Sequence, residues 1–285
     1  MIENVPNEFK VLTNHEYPPY NRTIFEEFFM YNYGFKTVDL EYTYLPVLWT
    51  NLYISRNYSN GDMSDLQKYL DSLDRSKKYF TIIQYDDGLL ENIEDLNIKV
   101  FGAGGGGYKS DLMKLSEKNL GYPIPLICNP NPYIIRGRER DILCSFVGSF
   151  NTHPIRQKIR DLYEKQFVLK DKTDYKVFAD MMERSIFSLC PRGYGATSFR
   201  ICEALQYGSI PVYIYDKPWF PWKDEFDFND IGISIPESEI PDILNILQSK
   251  TEDEIYQYVE SGREIYREYF TYNGCAEKII SKLHE

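Results

Sequence analysis

Arginines set beside glycines and helix-capping hydroxyls are the residues of this sequence best suited to hold an anion. Arg192 precedes Gly193, Gly195 follows two residues later, and Thr197 and Ser198 stand just ahead of Arg200 and Glu203. A glycine-broken loop lets backbone amides approach a ligand, and a helix opening there turns its positive end toward negative charge. Arginine in the first turn of a helix opposes the helix dipole, so Arg200 is better explained by a bound anion than by helix stability. Glu203 lies three residues on, on the same helix face, where a guanidinium can take phosphate oxygens and a carboxylate can accept from sugar hydroxyls. The same spacing also suits an ordinary surface ion pair. Gly148, Ser149 and Arg156 form a second group of this kind, a glycine turn ahead of a helix start. Asp87, and after it Asp86, have the chemistry of a general base, although Asp-Asp-Gly88 also suits a tight turn for local reasons.

The elements that must position these groups alternate between strand and helix. Ile186 to Cys190 is an apolar run of strand length, Phe199 to Tyr207 is helical, Gly208 stops that helix, and Ile210 to Tyr215 resumes a strand. Ile142 to Val147 reads as the strand before Gly148, and a helix opening at Asn151 or Thr152 carries Arg156. Tyr79 to Tyr85 is the clearest strand of the first half and delivers Asp86 and Asp87 at its carboxyl end, where ligands collect in open α/β sheets. Elsewhere, strands are predicted at Phe9–Thr13, Leu40–Leu45, Ile124–Cys128 and Ile231–Ile235. Helices are predicted from Thr23, behind Pro46, from Asp62, over Asp174–Ser185, and over Pro236–Gln248, Asp253–Phe270 and Tyr272–Leu283. The proline-rich stretch from Asn129 reads as a linker between two domains.

The chain has 285 residues, with 43 acidic against 32 basic side chains and a net charge of −11. That balance argues against a nucleic-acid partner and against an acidic membrane surface, while leaving room for an anionic ligand held by focused arginines. The 25 Tyr and 17 Phe suit stacking on sugar rings, or reflect a simple bias of composition. Five cysteines without paired spacing and three histidines make a zinc site improbable and suggest a reducing compartment. No apolar stretch reaches membrane-spanning length and the first residues are acidic, so the expectation is a cytoplasmic protein with no membrane anchor. Gly102, Gly104 and Gly107 match a dinucleotide-binding pattern formally, but no acidic residue ends a strand about twenty residues on, so a flexible loop is the better reading.

Phe187-Ser-Leu-Cys-Pro-Arg-Gly, Ser198-Phe-Arg-Ile-Cys-Glu-Ala-Leu and Gly208-Ser-Ile-Pro-Val resemble the signature of the exostosin-type glycosyltransferases. Ser145-Phe-Val-Gly-Ser with Arg156, and the segment from Trp219 to Phe228, extend the likeness over about residues 142 to 245. The resemblance implies a GT-B fold: α/β, with two doubly wound Rossmann-like domains facing a cleft and a C-terminal helix bracing the N-terminal domain. The bounds read as an acceptor-side domain over residues 1–135, a nucleotide-sugar domain over 136–268 and a returning helix over 269–285. The implied activity is an inverting, metal-independent transfer from a UDP-sugar, with UDP-xylose favoured, to a glycan hydroxyl. An oligosaccharide or glycoprotein is the expected acceptor, with a capsid or surface glycan favoured by resemblance to compact members carried by large DNA viruses; the location would then be the host cytoplasm. No cofactor is required beyond the donor as substrate. Arg156, Arg192 and Arg200 would neutralise the diphosphate with Gly148, Ser149, Gly193 and Ser198 nearby, Glu203 would hold the ribose, and Asp87 or Asp86 would be the base. His15 and Glu16 are further candidates for that role. Trp219, Phe220 and Trp222 either wall the sugar pocket or anchor their loop to the core. A metal-dependent GT-A enzyme using Asp86 and Asp87, a carbohydrate-binding module without turnover, and an oxidoreductase built on the Gly102 loop are the alternatives.

Overall fold

Parallel strands with apolar residues on both faces organise the chain into two sheets. A computed structural model describes residues 1–12, 23–104, 121–130 and 138–285. The chain divides into one unit formed by Met1–Asn129 with Tyr272–Glu285, and a second formed by Pro130–Thr271.

In the first unit, β1 (Thr43–Tyr44), β2 (Tyr79–Ile83), β3 (Ile98–Gly102) and β4 (Gly121–Pro123) lie side by side in chain order, all parallel. All five residues of β2 are buried, as expected for a parallel strand covered on both faces. Helices α1 (Phe25–Asn32), α2 (Trp49–Ser55) and α3 (Ser64–Asp71) accompany the sheet. The predicted opening strand at Phe9–Thr13 is absent over its described part: Asn7–Phe9 is a short 3-10 turn, Phe9 is buried, and its carbonyl accepts from Leu48 N–H (3.1 Å). Ile2 takes the place beside β1 instead, in a parallel bridge to Tyr44. Strand pairing also stops at Pro123 and does not run over Ile124–Cys128. Ile124 N–H makes the last bond to β3, on Gly102 O (2.9 Å), and Pro123 and Pro125 have no amide proton to offer a strand on the other side. The Gln84 side chain supplies the missing bonds, donating to Pro125 O (3.1 Å) and accepting from Ile127 N–H (3.1 Å).

The second unit contains β5 (Ile142–Val147), β6 (Val168–Lys170), β7 (Ser185–Pro191), β8 (Ile210–Tyr215) and β9 (Ile233–Pro236), all parallel, in the order β6-β5-β7-β8-β9. From β5 the chain moves to β6 on one side, then returns to place β7 on the other. The strand order therefore reverses between β5 and β7, and that is the point at which a doubly wound sheet opens a crevice for ligand. Between the strands run α4 (Pro154–Tyr163), α5 (Tyr175–Arg184) and α6 (Phe199–Tyr207), followed by α7 (Ile243–Gln248) and α8 (Glu252–Tyr269). Phe146, Ile155, Ile159, Phe187, Leu189, Val212 and Ile214 form the centre of the core. Gly208 ends α6 with φ +69°, a conformation that costs glycine nothing, and places its own and the next amide on the carbonyls of Leu205 and Ala204.

The last helix, α9 (Tyr272–His284), belongs to the first unit. Its Tyr272 ring lies 4.9 Å from Phe28 and its hydroxyl donates to Thr23 O (2.9 Å), while Tyr33 of the α1 C-cap donates to Asn273 Oδ1 (3.1 Å). Two Rossmann-like α/β units in one chain make up the GT-B fold class.

Candidate functional site

The carboxyl ends of β5 and β7, flanking the reversal, carry most of the residues singled out above. Ser149 accepts from Asn151 N–H (3.3 Å) and starts a 3-10 turn over Phe150–Thr152. The cap of α4 is His153 and not Asn151 or Thr152: its Nδ1 accepts from Ile155 N–H (3.3 Å), and Pro154 occupies the first helical position, where a missing amide proton does no harm. Ser198 caps α6 by accepting from Arg200 N–H (3.2 Å). Gly148 lies so close to its neighbours that a Cβ there would stand 3.0 Å from the Phe146 ring and 3.6 Å from Arg200 Nη2.

The three arginines have different surroundings. Arg156 donates from Nε to Arg192 O (2.9 Å), from Nη1 to Ser149 O (2.9 Å) and from Nη2 to Pro191 O (3.1 Å), tying the loops after β5 and β7 together. Arg192 is buried and pairs through Nη1 with Asp216 Oδ1 (2.6 Å), while Nη2 donates to Tyr194 O (2.9 Å). Arg200 donates from Nη2 to Val147 O (2.6 Å), and its guanidinium carbon stands 4.4 Å from the centre of the Phe178 ring. Its Nη1 lies 2.8 Å from Glu203 Oε2, but off the N–H direction, so the contact is an ion pair without an aligned hydrogen bond. Buried Nε and Nη1 of Arg200 have no hydrogen-bond acceptor among the described residues. A buried charged donor without an acceptor is costly, and it is the kind of defect that a ligand oxygen removes.

Asp216 and His153 belong to this group although the sequence reading gave neither a role. Asp216 follows the last residue of β8, so the rule that strand carboxyl ends face ligand was the signal for it. Burial opposes ionisation of Asp216, but the Arg192 hydrogen bond and charge, with the Lys217 amide, outweigh it and hold the carboxyl below its ordinary range. Burial, and then the nearby Arg192 charge, lower the His153 pKa, so the ring is neutral at pH 7. Trp219 and Trp222 are buried, with Trp222 packed on Tyr269 (6.1 Å), and Phe220 meets Tyr213 edge-on (5.7 Å). These rings anchor their loop. The large aromatic left open on this edge is Tyr194, 67% exposed between Gly193 and Gly195.

In the first unit, Asp86 and Asp87 are half-buried in a turn closed by Gly88 N–H on Tyr85 O (2.9 Å). Gly104 packs against that turn so closely that a Cβ would come within 2.3 Å of Tyr85 O. Close backbone approach thus accounts for one glycine of the Gly102–Gly107 pattern; Gly107, like His15 and Glu16, lies outside the described residues. Beneath the turn is a carboxylate that the sequence reading did not single out. Glu26 of α1 is fully buried and accepts from Gln84 N–H (2.7 Å), Thr50 N–H (3.1 Å) and the Thr50 hydroxyl. Burial raises its pKa to about 7 against the pull of those donors. Among the described residues no group of three or more His, Cys, Asp or Glu side chains is arranged to hold a metal ion, and no helix is long and apolar enough to cross a membrane.

Comparison with known proteins bears on the same segment. Residues 108–250, half of the chain, match the Exostosin GT47 domain. A "Probable beta-1,4-xylosyltransferase IRX10" of Arabidopsis thaliana is 30% identical over 115 residues, covering 40% of this chain and 28% of that protein. A "Probable glucuronosyltransferase" of Oryza sativa subsp. japonica is 31% identical over 103 residues, covering 36% and 25%. The matched part is thus little more than a quarter of each relative. Among solved structures, AviGT4, a glycosyltransferase involved in avilamycin A biosynthesis, superposes with a TM-score of 0.47 at 11% identity, covering 96% of each chain. An alpha-glucosyltransferase in complex with UDP and a 13-mer DNA gives 0.48 at 10% identity, covering 87% of this chain and 81% of that one. With the glycine loop and the capped helix of the matched segment both in place at the strand-order reversal, the chain belongs to the exostosin GT47 family.

Proposed function

We propose that this protein is a glycosyltransferase that holds a nucleotide sugar at the carboxyl edge of the second sheet and transfers the sugar to a glycan hydroxyl with inversion. The observation that carries the reading is Arg200, whose buried Nε and Nη1 have no hydrogen-bond acceptor among the described residues, beyond the Nη1 ion pair with Glu203, at the N-terminus of a helix on the strand-order reversal. A diphosphate would accept from both nitrogens at the positive end of the α6 dipole. Ser198, Gly193, Gly148 and Ser149 shape that site; Arg156 and Arg192 fix its two loops and add positive field; Glu203 accepts from a ribose hydroxyl.

In the transfer, the acceptor oxygen attacks the anomeric carbon as the bond from that carbon to the phosphate oxygen breaks. The acceptor proton passes to Asp87, with Asp86 beside it as the second choice, and the departing diphosphate keeps the electron pair. Preorganised positive charge from Arg200 and the helix end stabilises that leaving group, a task a divalent metal performs in GT-A enzymes. UDP is the nucleotide we favour, as the donor nucleotide that the resemblance to the exostosin family implies. The names of the plant relatives favour a xylosyl or glucuronosyl donor, with UDP-xylose first.

Calorimetry with UDP and a panel of UDP-sugars tests the reading. The wild type is expected to bind UDP, Arg200→Ala to lose at least a hundredfold in affinity, and turnover to survive excess chelator. UDP affinity unchanged in Arg200→Ala would overturn the donor site, and turnover abolished by chelator would overturn the metal-free mechanism.

A further inference from the structure

Asp216 and His153 come from different elements, the carboxyl end of β8 and the cap of α4, and they do not bond to each other. Asp216 Oδ1 is occupied, accepting from Arg192 Nη1 (2.6 Å) and Lys217 N–H (2.7 Å). Its Oδ2 accepts no hydrogen bond from the described residues and lies 3.7 Å from His153 Nε2. Because His153 Nδ1 accepts from Ile155 N–H, the proton of the neutral ring is on Nε2. One fixed acceptor and one fixed donor therefore stand side by side, too far apart to satisfy each other.

Both groups are held from behind and open in front. The Arg192 side chain that neutralises Asp216 is only 5% exposed, whereas the Asp216 and His153 side chains are 30% and 21% exposed. Arg192 also links the pair to the anion site, since its carbonyl accepts from Arg156 and its Nη2 holds Tyr194 O. A hydroxyl can donate to Asp216 Oδ2 and accept from His153 Nε2 at once, and an oxygen at about 2.8 Å from each fits the gap. Phosphate cannot, because an anion oxygen would be repelled by the carboxylate.

We propose that Asp216 and His153 form a hydroxyl-reading pair that selects a sugar hydroxyl of the bound nucleotide sugar. This rests on the assignment of the second unit as the donor site. Sugar hydroxyls occur on both the ribose and the transferred sugar, and the chemistry of the pair is the same for either. An analogue lacking the hydroxyl leaves both groups unsatisfied, which makes the pair selective as well as attractive.

Calorimetry with UDP, 2′-deoxy-UDP, 3′-deoxy-UDP and UDP-sugars on the wild type, His153→Asn and Asp216→Asn tests the pair. Asparagine at 153 keeps a cap acceptor for Ile155 N–H but has no group in place of Nε2–H, so this variant should fold as the wild type does. About a tenfold loss of affinity is expected, the size of one lost hydrogen bond to a ligand. If His153→Asn weakens UDP and no longer distinguishes one of the deoxy analogues, the ribose is read; if UDP is unaffected and a UDP-sugar is weakened, the transferred sugar is read. Wild-type affinity for UDP and every UDP-sugar in both variants would overturn the pair while Arg200→Ala still loses UDP. A wild type that binds no UDP, or an Arg200→Ala that binds it normally, removes the donor site and the pair with it.

Discussion

The two units present opposite chemistry at the carboxyl edges of their sheets. In the second unit the strand order reverses between β5 and β7, and the loops there are joined by guanidinium groups donating to the carbonyls of Val147, Ser149, Pro191 and Arg192. In the first unit the described strands follow one another without reversal, and the end of β2 is held by the buried Glu26 carboxylate accepting from Gln84 and Thr50. An edge built from donors has donors left over, as at Arg200, and suits an anion. An edge whose turn carries Asp86 and Asp87 suits a group with a proton to give up. The difference teaches that the two strand ends are fixed by opposite kinds of group, guanidinium donors on backbone carbonyls in the second unit and a carboxylate acceptor on backbone amides in the first.

Replacing the acidic end breaks this comparison most severely. Asp87→Asn is expected to lower transfer about a thousandfold, within the usual range for loss of a general base, while UDP affinity stays at the wild-type value. Rates and calorimetry on one preparation decide it, and wild-type turnover would take the base away from this turn. On the other edge, Asp216→Ala leaves Arg192 buried without a carboxylate, and about 3 kcal/mol of stability should be lost in urea unfolding. The double replacement Arg192→Met with Asp216→Leu is expected to regain most of that loss, because it removes both charges together. A single Asp216→Ala as stable as the wild type would mean that Arg192 finds another partner.

The second edge was far more legible in the sequence than the first. Its signals were local: Gly148, Gly193 and Gly208 mark turns, Ser198 marks a cap, and Arg200 stands where a cation is unfavourable for a helix. What stayed hidden was pairing at long range, such as Arg192 with Asp216 or Arg156 with three carbonyls, since nothing local distinguishes a guanidinium aimed at a ligand from one aimed at the backbone. The first unit was harder because Glu26 reads as one more polar residue on an amphipathic helix. Its burial depends on Thr50 and Gln84, which lie 24 and 58 residues away in the chain. The opening strand was misplaced for a similar reason: Phe9 is apolar because it is packed in the core, and its backbone is not part of the sheet.

The buried carboxylate also gives the first unit a pH dependence opposite in sign to the one that Asp216 and His153, with lowered pKa values, give the second. Glu26 has a folded pKa of about 7, above its unfolded value near 4.3. Between those values the folded state binds the proton more tightly, so this group's contribution is fully present below about pH 4.3 and declines until about pH 7. Up to roughly 4 kcal/mol is involved, and Glu26→Gln should flatten that part of the profile. Urea unfolding of both proteins at pH 5 and pH 7.5 measures it. A wild-type minus variant difference that does not change with pH would show that Glu26 is ionised in the folded protein.

The smallest effect expected separates folding from binding at one residue. The Tyr194 ring is 67% exposed, while its carbonyl is held by Arg192 Nη2 and the amide of its neighbour Gly193 donates to Thr197 O (3.3 Å). The backbone is therefore fixed without help from the ring, and Tyr194→Ala should leave the melting temperature unchanged. An aromatic face open beside the anion site can stack on a base or on the apolar face of a sugar, an interaction of about 1 kcal/mol, so donor affinity should fall about fivefold. Tyr194→Phe should bind like the wild type, because stacking needs the ring and not the hydroxyl. If instead Tyr194→Phe is as weak as Tyr194→Ala, the phenol hydroxyl makes the contact, and the open edge of the second unit reads its ligand through hydrogen bonds alone.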